Sequence, residues 1–210
     1  MPLLIVLSLL GADLPAAPLA LPAIESAAED VYDAANGAVK GDAGRWAKVD
    51  KLLDTVRKAA AALSAAGPSP ELEQVNHAVA ELRLVVGKRD ALATQMASNR
   101  LALKVADLYA NYQAPVPVDL KRLDALLRSI ELSARARDAS EQAALAERAG
   151  LLWLDLSKTK PIAGTKAKEQ LDAQMSAVTA AVNARDAAGL GKAVGQALEG
   201  VDAVERLFRK

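Results

Sequence analysis

Arg137-Asp138-Ala139-Ser140-Glu141 belongs to a set of four passages with one spacing. Asp42, Asp90, Asp138 and Asp186 stand 48 residues apart, and each is followed by alanine, at Ala43, Ala91, Ala139 and Ala187. Arginine precedes three of them, as Arg89, Arg137 and Arg185, and Gly41 precedes the first. Leu123-Asp124-Ala125 recurs at the same interval as Leu171-Asp172-Ala173. A fixed period of this length marks one supersecondary unit used repeatedly. Proline falls between the units, at Pro68 and Pro70, at Pro115 and Pro117, and at Pro161. The chain reads as four units of helix, Asp-Ala turn, helix.

The aspartate has a physical task in such a unit. Its carboxylate can accept from the unpaired N–H groups that open the second helix, and it complements the positive end of the helix dipole. Glu141 follows Asp138 at the spacing of a capping box. Asn36, Gly37, Gly41 and Gly44 mark the turn in the first unit, and Gly189, Gly191 and Gly195 weaken a continuous helix in the fourth. Between Pro70 and Gln113 only Gly87 interrupts, so the second unit reads as one long helix kinked between Gly87 and Asp90.

Apolar residues recur at three and four throughout. One stripe runs through Trp46, Val49, Leu52, Leu53, Val56 and Leu63, and another through Leu72, Val75, Val79, Leu82 and Val86. Leu120, Leu123, Leu127 and Ile130 form a third, Leu171, Met175, Val178 and Val182 a fourth, and Leu190, Val194, Ala197, Val201, Val204 and Phe208 a fifth. No stretch alternates with period two, the pattern a half-buried strand requires. The expected fold is all-α: an antiparallel bundle of about seven helices built from four 48-residue units, with an open α-solenoid as the alternative.

Composition agrees. The 210 residues are 52% apolar, with 47 alanines and 32 leucines against six aromatics, so the apolar content favours helices over strands. Twenty-six basic and 26 acidic residues balance, which leaves no cationic excess for a phosphate backbone and few rings to stack on bases; nucleic acid is not an expected partner. The absence of cysteine excludes disulfides, zinc-thiolate sites, iron–sulfur clusters and thiol nucleophiles.

Leu3 to Leu10 is an apolar run too short to span a membrane. Pro15, Pro18 and Pro22 follow among small residues, as in the tail of a secretory signal. No Lys or Arg precedes the run, and each alanine between Ala16 and Ala23 has Leu or Pro three positions before the cleavable bond. Residues 1–23 are therefore read as a signal peptide or an apolar arm docked on the bundle, residues 24–210 as a single helical-bundle domain, and the protein as periplasmic or secreted. No transmembrane span is expected.

Candidate chemistry is sparse. Glu73, His77 and Glu81 share one helical face and would present two carboxylates and an imidazole to a divalent ion if a second helix, through Glu25, Glu29 and Asp33, completed the site. Asp124, Arg128, Glu131 and Arg135 alternate in sign like a surface ladder of weak ion pairs, and Arg100, Lys104, Asp107 and Asn111 read the same way. Asn99 interrupts an apolar stripe with Leu92, Met96, Leu103 and Ala106, where an amide must find a partner; it is expected to fix helix register or to touch a ligand. Trp46 and Trp153 are expected to pack with their indole N–H near the surface, or to wall a pocket. No serine elbow, phosphate-cradling glycine loop or Glu-x-x-His pair is present. The resulting expectation is an exported non-enzymatic bundle, without a cofactor, that binds a protein or small molecule. The alternative is a periplasmic metal-binding bundle using Glu73, His77 and Glu81.

Overall fold

The computed structural model describes residues 14–39, 41–65 and 67–209, so the Leu3 to Leu10 run lies outside the described residues. Among the described residues there are eight α-helices: α1 (Ala20–Ala35), α2 (Ala43–Ser64), α3 (Pro70–Gly87), α4 (Ala91–Tyr109), α5 (Val118–Arg135), α6 (Ala139–Leu156), α7 (Lys166–Ala184) and α8 (Ala187–Glu205). Among the described residues there is no strand, only an isolated bridge between Ala16 and Gln113, whose N–H donates to Pro15 O at 2.9 Å. No described helix is long and apolar enough to cross a membrane.

The four Asp-Ala passages are the turns of four helical hairpins. Asp42, Asp90, Asp138 and Asp186 each accept a hydrogen bond from the backbone N–H three residues on, at 3.0, 3.0, 3.0 and 2.9 Å. Arg89, Arg137 and Arg185 take the left-handed conformation, with φ of 55°, 61° and 52°. That residue ends one helix, and the extended aspartate after it opens the next. Asp138 N–H donates back to Ser133 O and Asp186 N–H to Ala181 O, the six-to-one closure that satisfies a helix's last carbonyls. At Arg89 and Asp90 the left-handed arginine and the capping aspartate end α3 and begin α4, which corrects the expectation of a single helix from Pro70 to Gln113 and makes eight helices among the described residues where about seven were expected. Gly87 is a weak signal for a break, and the left-handed arginine that makes the break is a residue with no strong turn preference.

Hairpins associate in pairs. α1 packs on α2 and α4, and α3 packs on α2 and α4, closing a four-helix ring; α5 to α8 close a second in the same way. The closures α1 to α4 and α5 to α8 make the assembly a bundle and not an open solenoid. The stretch read as one bundle thus holds two apolar cores, one centred on Leu21, Ile24, Val49, Leu82 and Leu101, the other on Leu120, Leu127, Leu171, Val194 and Val201. The helix interface joining the two sets is α4 on α5.

Two local features depart from the sequence pattern. α1 starts at Ala20, before residue 24 at which the helical-bundle domain was expected to begin, and Leu21 is fully buried in the first core. Pro22 is tolerated because the first turn of a helix has no use for its missing N–H. In α8, a Cβ at Gly200 would stand 2.1 Å from Gln174 Oε1 and 3.0 Å from Leu171 Cδ1, so α7 side chains fill the space a larger residue would take and the end of Gln174 would have to move for one.

Candidate functional site

Glu73, His77 and Glu81 lie together along α3, as their spacing requires, at an open groove of about 660 Å³ between α3 and α4. Glu81 is already engaged by Arg100 of α4 at 2.6 Å, and Lys104 donates to Gln74 at 2.8 Å. The second set of ligands does not arrive. α1 and α3 sit diagonally across the first ring and make no contact, so Glu25, Glu29 and Asp33 cannot complete that site. Among the described residues no three His, Asp or Glu side chains are arranged to hold a metal ion.

Both tryptophans pack. Trp46 is 2% exposed, its Nε1 donates to Val39 O at 2.9 Å, and the Arg89 guanidinium lies 5.3 Å from its ring centroid. Trp153 is 4% exposed and donates to Asp172 Oδ1 at 2.8 Å. Asn99 is buried where α4 meets α5: its Nδ2 donates to Ala125 O and to Ser129 Oγ, both at 2.8 Å, tying one four-helix ring to the other. The carbonyl at Ala125 can only accept, which fixes the amide orientation. Asn99 Oδ1 is left buried without a partner.

The Asp124–Arg128 pair is not on a surface ladder. Its 2.8 Å ion pair forms as the four-residue spacing dictates, but the two side chains are only 23% and 21% exposed. They line a cleft of about 250 Å³ where α1, α4, α5 and α8 converge. α1 does not pack directly on α5 or α8, and the space left between them is this cleft. α1 contributes Glu25 and Glu29, α4 Ala102, α5 Lys121, Asp124 and Arg128, α8 Asp202 and Glu205, and Arg209 follows from the C-terminal turn. The Arg100, Lys104, Asp107 and Asn111 face is likewise not an isolated ladder. Arg122 of α5 reaches Asp107 at 2.9 Å, and Asn111 donates to Glu71 of α3 at 3.3 Å.

Electrostatics single out this seam. Its five carboxyl groups face three cations, an excess of two acids. Lys121 pairs with Glu25 at 2.5 Å and stands 4.8 Å from the Tyr109 ring, whose hydroxyl donates to Glu25 at 3.1 Å. Arg128 lies 5.2 Å from the Tyr32 ring centroid. Glu29 is an exposed residue, yet its carboxyl is pushed up to about 7, first by the desolvation of the acid where it borders the cleft and then by Asp124, with Arg128 only partly opposing. Burial raises the Asp124 carboxyl as well despite its arginine, and raises Glu205 against the pull of Lys121 and Arg209. Tyr32 is pushed up to about 12 by burial and by Glu131. Three neighbouring carboxyls held above their ordinary range form a site that favours either protons or another cation.

Beside the cleft, and sharing Glu29, Ala102, Asp124 and Arg128 with it, is a second space of about 10 Å³ lined also by Asn99, Ser98 and Tyr32. Sequence reading found Asn99, Glu29, Asp124 and Arg128 separately and placed the last two in water. The signal available was Leu123-Asp124-Ala125-Leu126-Leu127, in which Asp124 is the single polar residue of five. No model of a protein family, no curated protein and no solved structure matches this chain.

Proposed function

We propose that this chain is an exported, non-enzymatic binding module whose receiving site is the polar seam where the two four-helix rings meet. The observation that carries the reading is the Glu29, Asp124 and Arg128 cluster: charged groups from two helices line a concave space partly withdrawn from water, where a folded protein gains nothing in stability by keeping an excess of acid. Convergent polar groups in a concavity between helices are the usual form of a small-molecule site in a bundle. The reading is non-enzymatic because the chain has no cysteine and a single histidine, His77, which is exposed on α3, a helix that contributes no residue to the lining of the seam. Export rests on the Leu3 to Leu10 run and the proline-rich tail after it. A processed chain would begin at or before Leu21, since a later start would remove that residue from the first core.

The test is a thermal-shift screen with small cations, anions and neutral molecules against the wild type and Ala102→Leu. The substitution replaces a methyl with an isobutyl side chain inside the cleft and removes no charge. Ligands of the seam should raise the melting temperature of the wild type, because binding the folded state alone stabilises it by mass action, and should leave Ala102→Leu unmoved. Equal shifts in both proteins, or none in either, would remove the seam as the binding site. Mass spectrometry of natively expressed protein checks export, and an intact Met1 to Asp13 segment would refute it.

A further inference from the structure

We infer that the seam receives the head of a primary aliphatic ammonium ion, with Asn99 Oδ1, Glu29 and Asp124 as its acceptors. The inference rests on reading the seam as a binding site and names the chemistry of its ligand.

Three observations converge. First, Asn99 Oδ1 is an acceptor with no donor, on a side chain 4% exposed whose Nδ2 is fully used by Ala125 O and Ser129 Oγ. The missing partner must donate a hydrogen bond. Second, the groups beside Asn99 are carboxylates with capacity to spare. Arg128 Nε takes Asp124 Oδ2 and leaves Oδ1 without a hydrogen bond among the described residues, while Glu29 feels Arg128 and Lys121 only through charge at a distance. A single water would satisfy the amide but leave the excess of acid; a cation with N–H groups answers both needs. Third, size selects among cations. The inner space, about 10 Å³, admits one water-sized group, which suits an ammonium head and excludes a planar guanidinium or a quaternary ammonium. A metal ion is disfavoured because no three carboxylate or imidazole side chains among the described residues are set for coordination. The aliphatic tail would run into the wider cleft toward Glu205 and Asp202.

Proton and ammonium compete for the same carboxyls. Facing Glu29 are Glu25 and Tyr32 on α1, Tyr109 on α4, Lys121, Asp124 and Arg128 on α5, and Asp202 and Glu205 across the cleft on α8. Ionised Glu29 is required for binding, so affinity should be greater on the alkaline side.

The experiment is calorimetric titration of the full chain with n-butylammonium, with butyrate and tetramethylammonium as controls, at about pH 8 and at about pH 5.5. Binding of n-butylammonium is expected at the higher pH, with neither control bound. Glu29→Gln, at an exposed position where the variant should fold, is expected to weaken it about tenfold, the worth of one charge-assisted hydrogen bond. The wild type should lose a comparable factor at the lower pH, and Glu29→Gln should lose little. Asn99→Ala should abolish binding if circular dichroism shows it folded; if it unfolds, Glu29→Gln carries the test. Failure of n-butylammonium to bind, equal binding of tetramethylammonium, or unchanged affinity in Glu29→Gln would overturn the inference. If anions or neutral molecules stabilise the wild type but not Ala102→Leu while n-butylammonium does nothing, the seam remains a site and only the ammonium assignment fails.

Discussion

α1 and α3 carry similar motifs, titratable side chains every four residues along one face (Glu25, Glu29 and Asp33 on α1; Glu73, His77 and Glu81 on α3), and the fold treats them oppositely. On α3, Glu73, His77 and Glu81 border an open groove, and Arg100 reaches Glu81 from α4 at the surface. On α1, Glu25 and Glu29 look across to a different helical ring, where Asp124 and Arg128 are three-quarters withdrawn from solvent. Water screens the first set; in the second, Asp124 and Arg128 are mostly withdrawn from water and the acids outnumber the bases. The spacing of charges along a helix therefore says which side chains share a face. What lies opposite that face decides whether they act as a site.

The largest break in this contrast should come from Arg128→Met. It leaves the Asp124 carboxylate without its partner in a partly buried position, at an expected cost of about 2–3 kcal/mol. Chemical denaturation measures it, and pairing the change with Asp124→Asn should recover part of the loss, as expected for residues that interact directly. A smaller effect should follow Glu29→Gln. A carboxyl whose folded-state value is raised to about 7 binds its proton more tightly folded than unfolded, so stability from this group is present below the ordinary value of 4.5 and is lost as pH rises toward 7. The glutamine removes that loss, and melting curves should place Glu29→Gln about 2–4 °C above the wild type near pH 8, with little difference near pH 4.5.

Glu81→Gln, the counterpart on α3, should cost less than about 1 kcal/mol, and raised salt should shrink the cost further. His77→Ala should leave the melting temperature unchanged, with or without added zinc or copper. A metal-induced rise that vanishes in His77→Ala would instead make α3 the functional face and reverse the comparison.

Most of the fold was legible before any coordinate. The apolar stripes through Leu72 to Val86 and Leu171 to Val182 are buried throughout, and Asp42, Asp138 and Asp186 cap the helices that follow them as the repeat implied, while Asp90 caps α4 where one long helix was expected. Legibility failed where side-chain chemistry does not announce a backbone state. Arg89 in the left-handed region is one such case, a conformation glycine usually supplies. Its guanidinium holds Asp50 by two bonds at 2.7 and 2.8 Å, which helps offset the strain. α6 is another: its buried face is Gln142, Ala146, Ala149, Trp153 and Leu156, while Leu151 and Leu154 remain exposed and blur the stripe.

Sequence alone determined what is local: helix formation, the hairpin turns, and which residues of each helix face the same way. These follow from periodicity, capping and propensity within a few turns of chain, and the chain carries them redundantly in four copies. Only the tertiary structure decided that two hairpins close each ring, that α4 meets α5, and that Glu29, Asn99, Asp124 and Arg128 share one seam. Those residues lie as far as 99 positions apart, from Glu29 to Arg128, and no local interaction couples them. The withdrawal of their charges from water is a property of packed helices, since it depends on the protein that surrounds each carboxyl and not on its neighbours along the chain.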